Sequence, residues 1–150
     1  MSNSHQIFIE QTIELANQAK VNGNHPFGAL LVWDGEVVLT AVNTVNTQND
    51  ITHHAELNLI SAASRQFSSD ELAEMTLYTS TEPCAMCAGA IYWSGIRKVV
   101  YGCSANTLGR IAGDSLMIPC REVLVHGAEP TDVIGPLLES EAEKVHHGFW

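Results

Sequence analysis

The spacing of apolar residues at the start of the chain predicts a helix. Between Ile7 and Lys20, apolar side chains recur every three to four positions, at Ile9, Ile13 and Ala16, as expected for one face of an amphipathic helix. The pair Asn22-Gly23 follows, and such residues commonly end helices. A first helix over Ile7–Lys20 is therefore predicted.

Two strands are predicted next. Phe27–Trp33 and Glu36–Asn43 are apolar runs rich in β-formers, and only Asp34-Gly35 separates them. An Asp-Gly pair between such runs is a strong signal for a β-hairpin. The polar stretch Asn43–Thr52 that follows is predicted to be a loop.

The rest of the chain alternates helices with short strands. Apolar patterning predicts helices at His54–Ala63, Cys84–Trp93 and Leu137–Phe149, and strands at Met75–Ser80, Lys98–Tyr101 and Glu122–Val125. Thr107–Ser115 holds two glycines and is predicted to be a loop or a broken helix. This order of elements predicts a three-layer α/β/α sandwich around a central five-stranded mixed sheet.

Length and composition restrict the class of protein. With 150 residues, 45% of them apolar, the chain fits a single domain over residues 1–150 with a hydrophobic core. No apolar run approaches the ~18 residues of a membrane span. The N-terminal stretch MSNSHQIFIEQ lacks the basic region of a secretory signal. A cytoplasmic protein is therefore expected.

Charge and cysteine usage narrow the picture further. Seven Lys and Arg residues against seventeen Asp and Glu give a net charge of −10, which repels phosphate backbones and makes a nucleic-acid partner unexpected. Four cysteines without an export signal are poor evidence for disulfides. Two of them, Cys84 and Cys87, are three positions apart and indicate a different role.

Two short motifs carry candidate metal chemistry. His54-Ala55-Glu56 and Pro83-Cys84-Ala85-Met86-Cys87 each lie at the predicted start of a helix. Cys84 and Cys87 share one helical face and can reach the same ion, for which His54 offers a third donor. Three protein ligands leave one tetrahedral position of zinc for water, as in catalytic sites. Glu56, two residues after His54, then suits an acid/base role beside that water.

Two other uses of the cysteine pair compete with a catalytic metal. A lone Cys-x-x-Cys is also typical of a redox pair, but Glu82-Pro83 is not the usual redox context. A structural zinc site would need a fourth ligand, such as Cys103, Cys120 or His53, and none of these has paired spacing. One catalytic zinc ion per chain is therefore favoured.

These motifs resemble those of the cytidine deaminase-like superfamily of zinc hydrolases. Within it the sequence is most similar to the small bacterial guanine deaminases, on the segments Pro26–Ala29, Asn49–Glu56 and Glu82–Trp93. Transfer-RNA adenosine deaminases and fungal-type cytosine deaminases share much of this core. The resemblance implies zinc ligands at His54, Cys84 and Cys87, Glu56 as the proton shuttle, and a homodimer.

The resemblance also implies residues that contact the substrate. Asn43 lies where these families place an asparagine that hydrogen-bonds the base, although an asparagine in a loop can simply close a turn. The backbone N–H of Ala55 and the carbonyl of Glu82 are expected to contact the base and the leaving amine. Asp114 is expected near the substrate, with the capping of a turn as the alternative.

Aromatic residues complete the expected site. Phe27 and Trp93 are candidates for walls that stack on a flat base, and core packing is the alternative for both. In the resembled guanine deaminases the C-terminal segment covers the neighbouring subunit's site. For Phe149-Trp150, docking of the last helix is the preferred interpretation. His146 and His147 are expected to be solvated helix residues.

The resulting hypothesis is hydrolytic deamination of a free nucleobase, with guanine converted to xanthine and ammonia. Alternative substrates are cytosine, a nucleoside, an aminated triazine and adenosine in tRNA, the last disfavoured because the seven basic residues are scattered along the chain. A non-catalytic alternative is a zinc-stabilised protein that binds a heterocycle without converting it.

Overall fold

The computed structural model describes residues 2–150, with side chains from residue 4 onward. The helices are α1 (Ser2–Val21), α2 (Val45–Gln48), α3 (Ala55–Gln66), α4 (Ser69–Leu72), α5 (Ala85–Ser94), α6 (Ala105–Ala112), α7 (Cys120–Leu124) and α8 (Glu139–Glu143), with a 3₁₀ turn at Lys144–His146. The strands are β1 (Gly28–Trp33), β2 (Glu36–Val42), β3 (Thr76–Thr81), β4 (Lys98–Cys103) and β5 (Asp132–Ile134).

The five strands form one mixed sheet in the order β2-β1-β3-β4-β5. Strand β1 is antiparallel to β2 and β3, whereas β3, β4 and β5 run parallel to one another. The turn between β1 and β2 has positive φ at both Asp34 (53°) and Gly35 (81°), the backbone that a two-residue type I′ hairpin requires. The predicted hairpin and five-stranded mixed sheet are therefore confirmed.

Helices cover both faces of the sheet. On one face, Ile9 of α1 packs in a buried cluster with Leu30 and Tyr78. On the other, Leu59 of α3 belongs to a second buried cluster that includes Leu31. Neighbouring residues of a strand point to opposite faces, so the continuous apolar run of β1 supplies both layers. The three-layer sandwich is confirmed.

The predicted fifth strand, Glu122–Val125, is wrong. Most of this segment lies in α7, where Cys120 and Leu124 are one turn apart and both buried in a cluster with Tyr101. A segment with only three consecutive apolar residues, Val123 to Val125, fits a strand or a helical turn equally well. Burial of one side of the segment favoured the helix. The fifth strand is β5, only three residues long and parallel to β4.

Other boundaries also differ from the expected ones. The stretch Asn43–Thr52, predicted to be a loop, contains the short helix α2. Most of Thr107–Ser115 belongs to α6, which ends before Gly113, where φ is 94°. The final helix predicted over Leu137–Phe149 is reduced to α8 and the 3₁₀ turn, because Leu138 has left-handed backbone at its start and His147 has extended backbone at its end. None of the helices within residues 2–150 combines the length and apolarity needed to cross a membrane.

The parallel strands decide where the chemistry-bearing residues meet. Helix α5 begins shortly after β3, and α6 begins shortly after β4, at the same edge of the sheet. Parallel strands of an α/β sheet commonly present their ligand sites at this carboxyl edge. Helix α3 packs against α5 within one buried cluster, and one cavity is lined by His54 before α3, Cys84 before α5 and Leu108 of α6.

Candidate active site

The three predicted metal donors converge at the starts of two helices. His54 is the N-cap of α3 and Cys84 the N-cap of α5, with Cys87 one turn further along α5. The imidazole Nδ1 of His54 lies 3.6 Å from each of the two cysteine sulfurs. The predicted placement of both motifs at helix starts is confirmed.

The spacing of the donors fits a zinc ion. With Zn–S bonds of about 2.3 Å and Zn–N bonds of about 2.05 Å at tetrahedral angles, a nitrogen and a sulfur ligand are about 3.6 Å apart. The observed Nδ1–Sγ distances are 3.6 Å. Within the described chain this group holds His54, Cys84 and Cys87 and no fourth donor, which fits a catalytic rather than a structural metal.

The environment of the site shifts the pKa values of the two thiols in opposite directions. A hydrogen bond from Cys87, followed by the effect of the His54 ring, lowers the pKa of Cys84 to about 4 despite burial. The hydrogen bond that Cys87 donates to Cys84, together with burial, raises the pKa of Cys87. The hydrogen bond to Cys84 raises the pKa of His54. The site therefore already favours one thiolate, and a divalent cation would favour the second.

Glu56 lies beside the donors in the buried first turn of α3. Its side chain is 5% exposed, and the Thr79 hydroxyl of β3 donates to Oε2 at 3.2 Å. Burial, with the nearby Cys84 thiolate as the second cause, raises the pKa of Glu56 to about 7. A carboxyl group with a pKa near neutrality can both accept and return a proton.

A cavity of about 510 Å³ opens over these residues. Its lining is mainly apolar and aromatic, with a few polar groups near the metal donors: His25, Phe27, Ile51, His54, Glu56, Glu82, Cys84, Met86, Leu108, Ala112, Gly113, Ser115, Leu116, Met117 and Trp150. No lysine or arginine is present among these lining residues. The cavity therefore suits an uncharged, flat ligand better than a phosphorylated one.

Asn43 and Ala55, the residues expected to hold a base, are not among the lining residues, but each adjoins one: the Asn43 N–H donates to the Phe27 carbonyl at 3.1 Å, and Ala55 lies between His54 and Glu56. Asn43 is buried, its Oδ1 accepts from the Val45 N–H at 3.0 Å, and its Nδ2 makes no hydrogen bond within the described part of the chain. Asn43 therefore does close a turn, yet keeps an amide donor available. The N–H of Ala55 is the first of α3, and such groups lack an acceptor within their helix.

Phe27 and Glu82 lie in the cavity wall, whereas two other expected residues do not. Trp93 is 83% exposed and sits nine residues after Cys84, about 13 Å along the helix axis. The prediction that Trp93 forms a wall of this cavity is corrected for that reason. Asp114 is exposed and absent from the lining; its Oδ1 lies close to Gly109 instead.

Trp150, rather than Trp93, joins Phe27 in the wall of the cavity. Its ring lines the cavity, with centroids 6.1 Å from Phe27 and 5.3 Å from His25. The indole Nε1 donates to Nδ1 of His146 at 3.1 Å. Sequence reasoning preferred docking of the last helix for Phe149-Trp150, with coverage of a neighbouring subunit's site as the alternative, and noted the pair because it is unusual in a polar tail.

The expectation that His146 is solvated is wrong. The 3₁₀ turn buries its ring completely, and Nε2 lies 2.9 Å from Thr81 Oγ1. Because Nδ1 accepts from Trp150, the neutral ring carries its proton on Nε2 and donates it to Thr81. His147 is exposed, as expected. Burial, followed by Lys20 and His147, lowers the pKa of His146 to about 4.

The buried His146 is expected to make the fold acid-sensitive. Between pH 6.5 and about 4 the unfolded chain binds a proton at this residue and the folded one does not, so the free energy of unfolding falls as pH falls, by up to about 3 kcal/mol. Chemical denaturation at pH 7 and pH 4.5 should show a weaker pH dependence for His146→Gln than for wild type. His147→Gln is the control and should keep the wild-type dependence. Equal pH dependence in wild type and His146→Gln would contradict the assignment.

Comparison with known proteins agrees with this geometry. The family model of the cytidine and deoxycytidylate deaminase zinc-binding region matches residues 2–103, which include the three donors and Glu56. A probable cytosine deaminase of Schizosaccharomyces pombe is 37% identical over 148 residues, covering 95% of this chain and 90% of the relative.

Two further relatives carry other substrate names. A tRNA-specific adenosine deaminase of Bacillus subtilis is 34% identical over 145 residues, covering 97% of this chain and 88% of the relative. The solved structure of a guanine deaminase from Bacillus subtilis superposes with a TM-score of 0.65 and 35% identity, covering 73% of this chain and 71% of that one. With the donor geometry above, these matches confirm zinc as the cofactor. The chain belongs to the cytidine and deoxycytidylate deaminase family and is a zinc-dependent hydrolytic deaminase.

Proposed function

We propose that this enzyme deaminates a free nucleobase, with guanine converted to xanthine and ammonia. The observation that carries the proposal is the cavity next to Glu56 and the metal donors, whose lining is apolar and aromatic and contains no lysine or arginine. A nucleotide or a tRNA needs cationic groups for its phosphates. A net charge of −10 supports the same choice.

The residues of this chain have distinct roles in the proposed reaction. His54, Cys84 and Cys87 would hold the zinc ion, which would supply Lewis-acid chemistry that lowers the pKa of a water molecule. Glu56 is placed to accept a proton from the attacking water and to deliver it to a ring nitrogen of the base while the amino-bearing carbon gains the oxygen. A second proton transfer lets the amine leave as ammonia, so base and water give an oxo base and ammonia.

The base is held by groups on three sides of the cavity in this proposal. The Asn43 Nδ2 and the Ala55 N–H are donors to the edge of the ring, and the Glu82 carbonyl accepts from the leaving amine. Phe27 and Trp150 supply the apolar walls, on which a planar heterocycle can pack. Asp114 is exposed and outside the cavity lining, so this proposal gives it no contact with the base.

Cytosine is the second candidate substrate. It is favoured by the Schizosaccharomyces pombe relative, named a probable cytosine deaminase, which matches nearly the whole of this chain. The guanine deaminase structure matches 73% of this chain. The cavity of about 510 Å³ is large enough for either ring, so its size does not separate the two bases.

Ammonia release from a panel of substrates tests the proposal. Zinc-loaded protein is assayed with guanine, cytosine, adenine, their nucleosides, an aminated triazine and a tRNA. We expect the highest kcat/KM for guanine, a lower value for its nucleoside, and none for tRNA. A higher kcat/KM for cytosine would establish the second candidate. Salt-sensitive tRNA deamination, or no ammonia from any compound, would refute the proposed function.

The expected homodimer and cytoplasmic location stay predictions. The exposed Trp93 and the small residues near it on α5, such as Gly89, would suit contact with a second copy. Light scattering of the purified protein reports the mass in solution, and a monomer at micromolar concentration would contradict the dimer.

A further inference from the structure

The side chain of Glu82 joins the starts of two helices. Its Oε1 accepts from the backbone N–H of Ala105, the first residue of α6, at 2.8 Å. Its Oε2 accepts from the backbone N–H of Cys120, the first residue of α7, at 2.7 Å. Both distances are short, as expected for charge-assisted hydrogen bonds. One carboxylate thus holds both helix starts.

Glu82 is a buried charge without a cation. It is 7% exposed, and among residues 2–150 the side-chain ion pairs involve His53 with Asp50 and His147 with Glu143 only. Burial of a carboxylate is costly unless its oxygens are hydrogen-bonded. Here the two backbone N–H groups satisfy it, so the carboxylate and the helix starts depend on each other.

The part of the chain held by Glu82 is one wall of the cavity. The segment Ala105–Cys120 begins and ends at the two residues whose N–H groups Glu82 binds. Six of the lining residues lie between them: Leu108, Ala112, Gly113, Ser115, Leu116 and Met117. The backbone N–H of Glu82 is itself fixed to β4, through the Cys103 carbonyl at 2.7 Å. The wall is thereby tied to the sheet.

We propose that Glu82 is a positioning residue that holds the Ala105–Cys120 wall at a fixed distance from the metal donors and so determines how tightly the substrate binds. This role belongs to the carboxylate, in addition to the carbonyl contact considered above. Its kinetic consequence rests on the proposed function. Its structural consequence, the order of the wall, does not require a substrate.

Glu82→Gln is the informative change because the position needs two acceptors. A glutamine has one acceptor oxygen and one NH₂ donor, so one of the two backbone N–H groups would face another donor. We expect KM for guanine or cytosine to rise about 10- to 100-fold, as for a lost buried hydrogen bond. We expect kcat to change less than about threefold, because Glu56 and the metal donors stay in place.

Glu139→Gln is the matched control. Glu139 accepts from the N–H of Ser104, the N-cap of the same helix α6, at 2.7 Å through one oxygen. A glutamine can keep this single bond, and Glu139 does not line the cavity. The same chemical change at the same helix start should therefore leave KM and the wall unaltered.

Ala105→Pro tests the hydrogen bond from its donor side. Proline lacks the N–H but is favoured at the first position of a helix, and Ser104 before it has a ψ of 155°, which a residue preceding proline readily adopts. We expect a KM increase in the same direction as for Glu82→Gln. This variant decides the matter if Glu82→Gln does not fold.

The experiment combines kinetics with amide hydrogen exchange of the four zinc-loaded proteins. In Glu82→Gln and Ala105→Pro, exchange within residues 105–120 should accelerate at least about tenfold while β3 and α1 keep their protection. Loss of protection throughout the chain with KM unchanged would mean a merely structural role and overturn the proposal. The proposal would also be overturned if Glu82→Gln and Ala105→Pro kept the wild-type hydrogen exchange and KM. An effect of Glu139→Gln equal to that of Glu82→Gln would overturn it as well. If wild type converts neither base, the proposed function fails, and hydrogen exchange still decides the role of Glu82.

Discussion

Replacing Glu56 with alanine is expected to reduce kcat by about 10³- to 10⁴-fold, at the upper end of the contribution of a general acid/base, because this carboxyl group moves both protons of the proposed reaction. Its side chain is buried next to the metal donors and is not itself one of them. Zinc content should therefore stay at one ion per chain, as measured by elemental analysis of the purified variant.

Two companion variants make the Glu56 result interpretable. Glu56→Gln keeps the size of the side chain and should lose activity to a similar extent, which separates the loss of the acid/base from the cavity that alanine leaves. Glu10→Ala removes an exposed glutamate of α1 and should retain wild-type kcat. Retention of more than a tenth of kcat in both Glu56 variants would exclude the acid/base role, whereas no turnover by the zinc-loaded wild type would favour the non-catalytic alternative.

Replacing Cys87 with serine is expected to weaken zinc binding more than about 100-fold and to abolish deamination. The thiolate is one of three donors, and a hydroxyl oxygen is a poorer and shorter-reaching ligand for zinc. Loss of a hydrogen-bond partner of a metal ligand already costs 10–100-fold in affinity, so loss of the ligand should cost more. Competition with a chromophoric chelator measures the affinity.

Cys103→Ala is the matched control for the metal site. Cys103 is as fully buried as Cys87, at the end of β4, but it is not one of the grouped donors. Burial raises the pKa of its thiol to about 12, so it remains a protonated, inert side chain. Its loss should leave the zinc content unchanged. Zinc retention in Cys87→Ser, or zinc loss in Cys103→Ala, would contradict the assigned donor set.

The metal donors were predictable because their arrangement is local. Cys84 and Cys87 are three residues apart on one helix, and the helical repeat alone brings such side chains to one face. His54 comes from another helix, 30 residues earlier, and spacing alone did not fix its position. A histidine at a predicted helix start, two residues before Glu56, matches the motif of the deaminase superfamily, and this match predicted His54 as the third donor.

Secondary structure was predictable where the apolar pattern was long. The hairpin of β1 and β2 and the helix α3 extend over several residues with a clear period. The three residues of β5 carry no such pattern, and the sequence predicted the fifth strand at Glu122–Val125 instead. Packing of Cys120 and Leu124 into the cluster with Tyr101 is a tertiary effect, which no local window contains.

By itself the sequence determined the sandwich fold and singled out His54, Cys84 and Cys87 as a group that could hold zinc, since periodicity and short motifs encode them; the acid/base role of Glu56 stays a prediction. Only the tertiary structure decided which aromatic ring reaches the cavity, Trp150 rather than Trp93, and that His146 is buried. It also decided the partners of Glu82, which are amides 23 and 38 residues further along the chain. Contacts over such separations depend on how the elements pack together, and the spacing of residues along the chain carries no record of them.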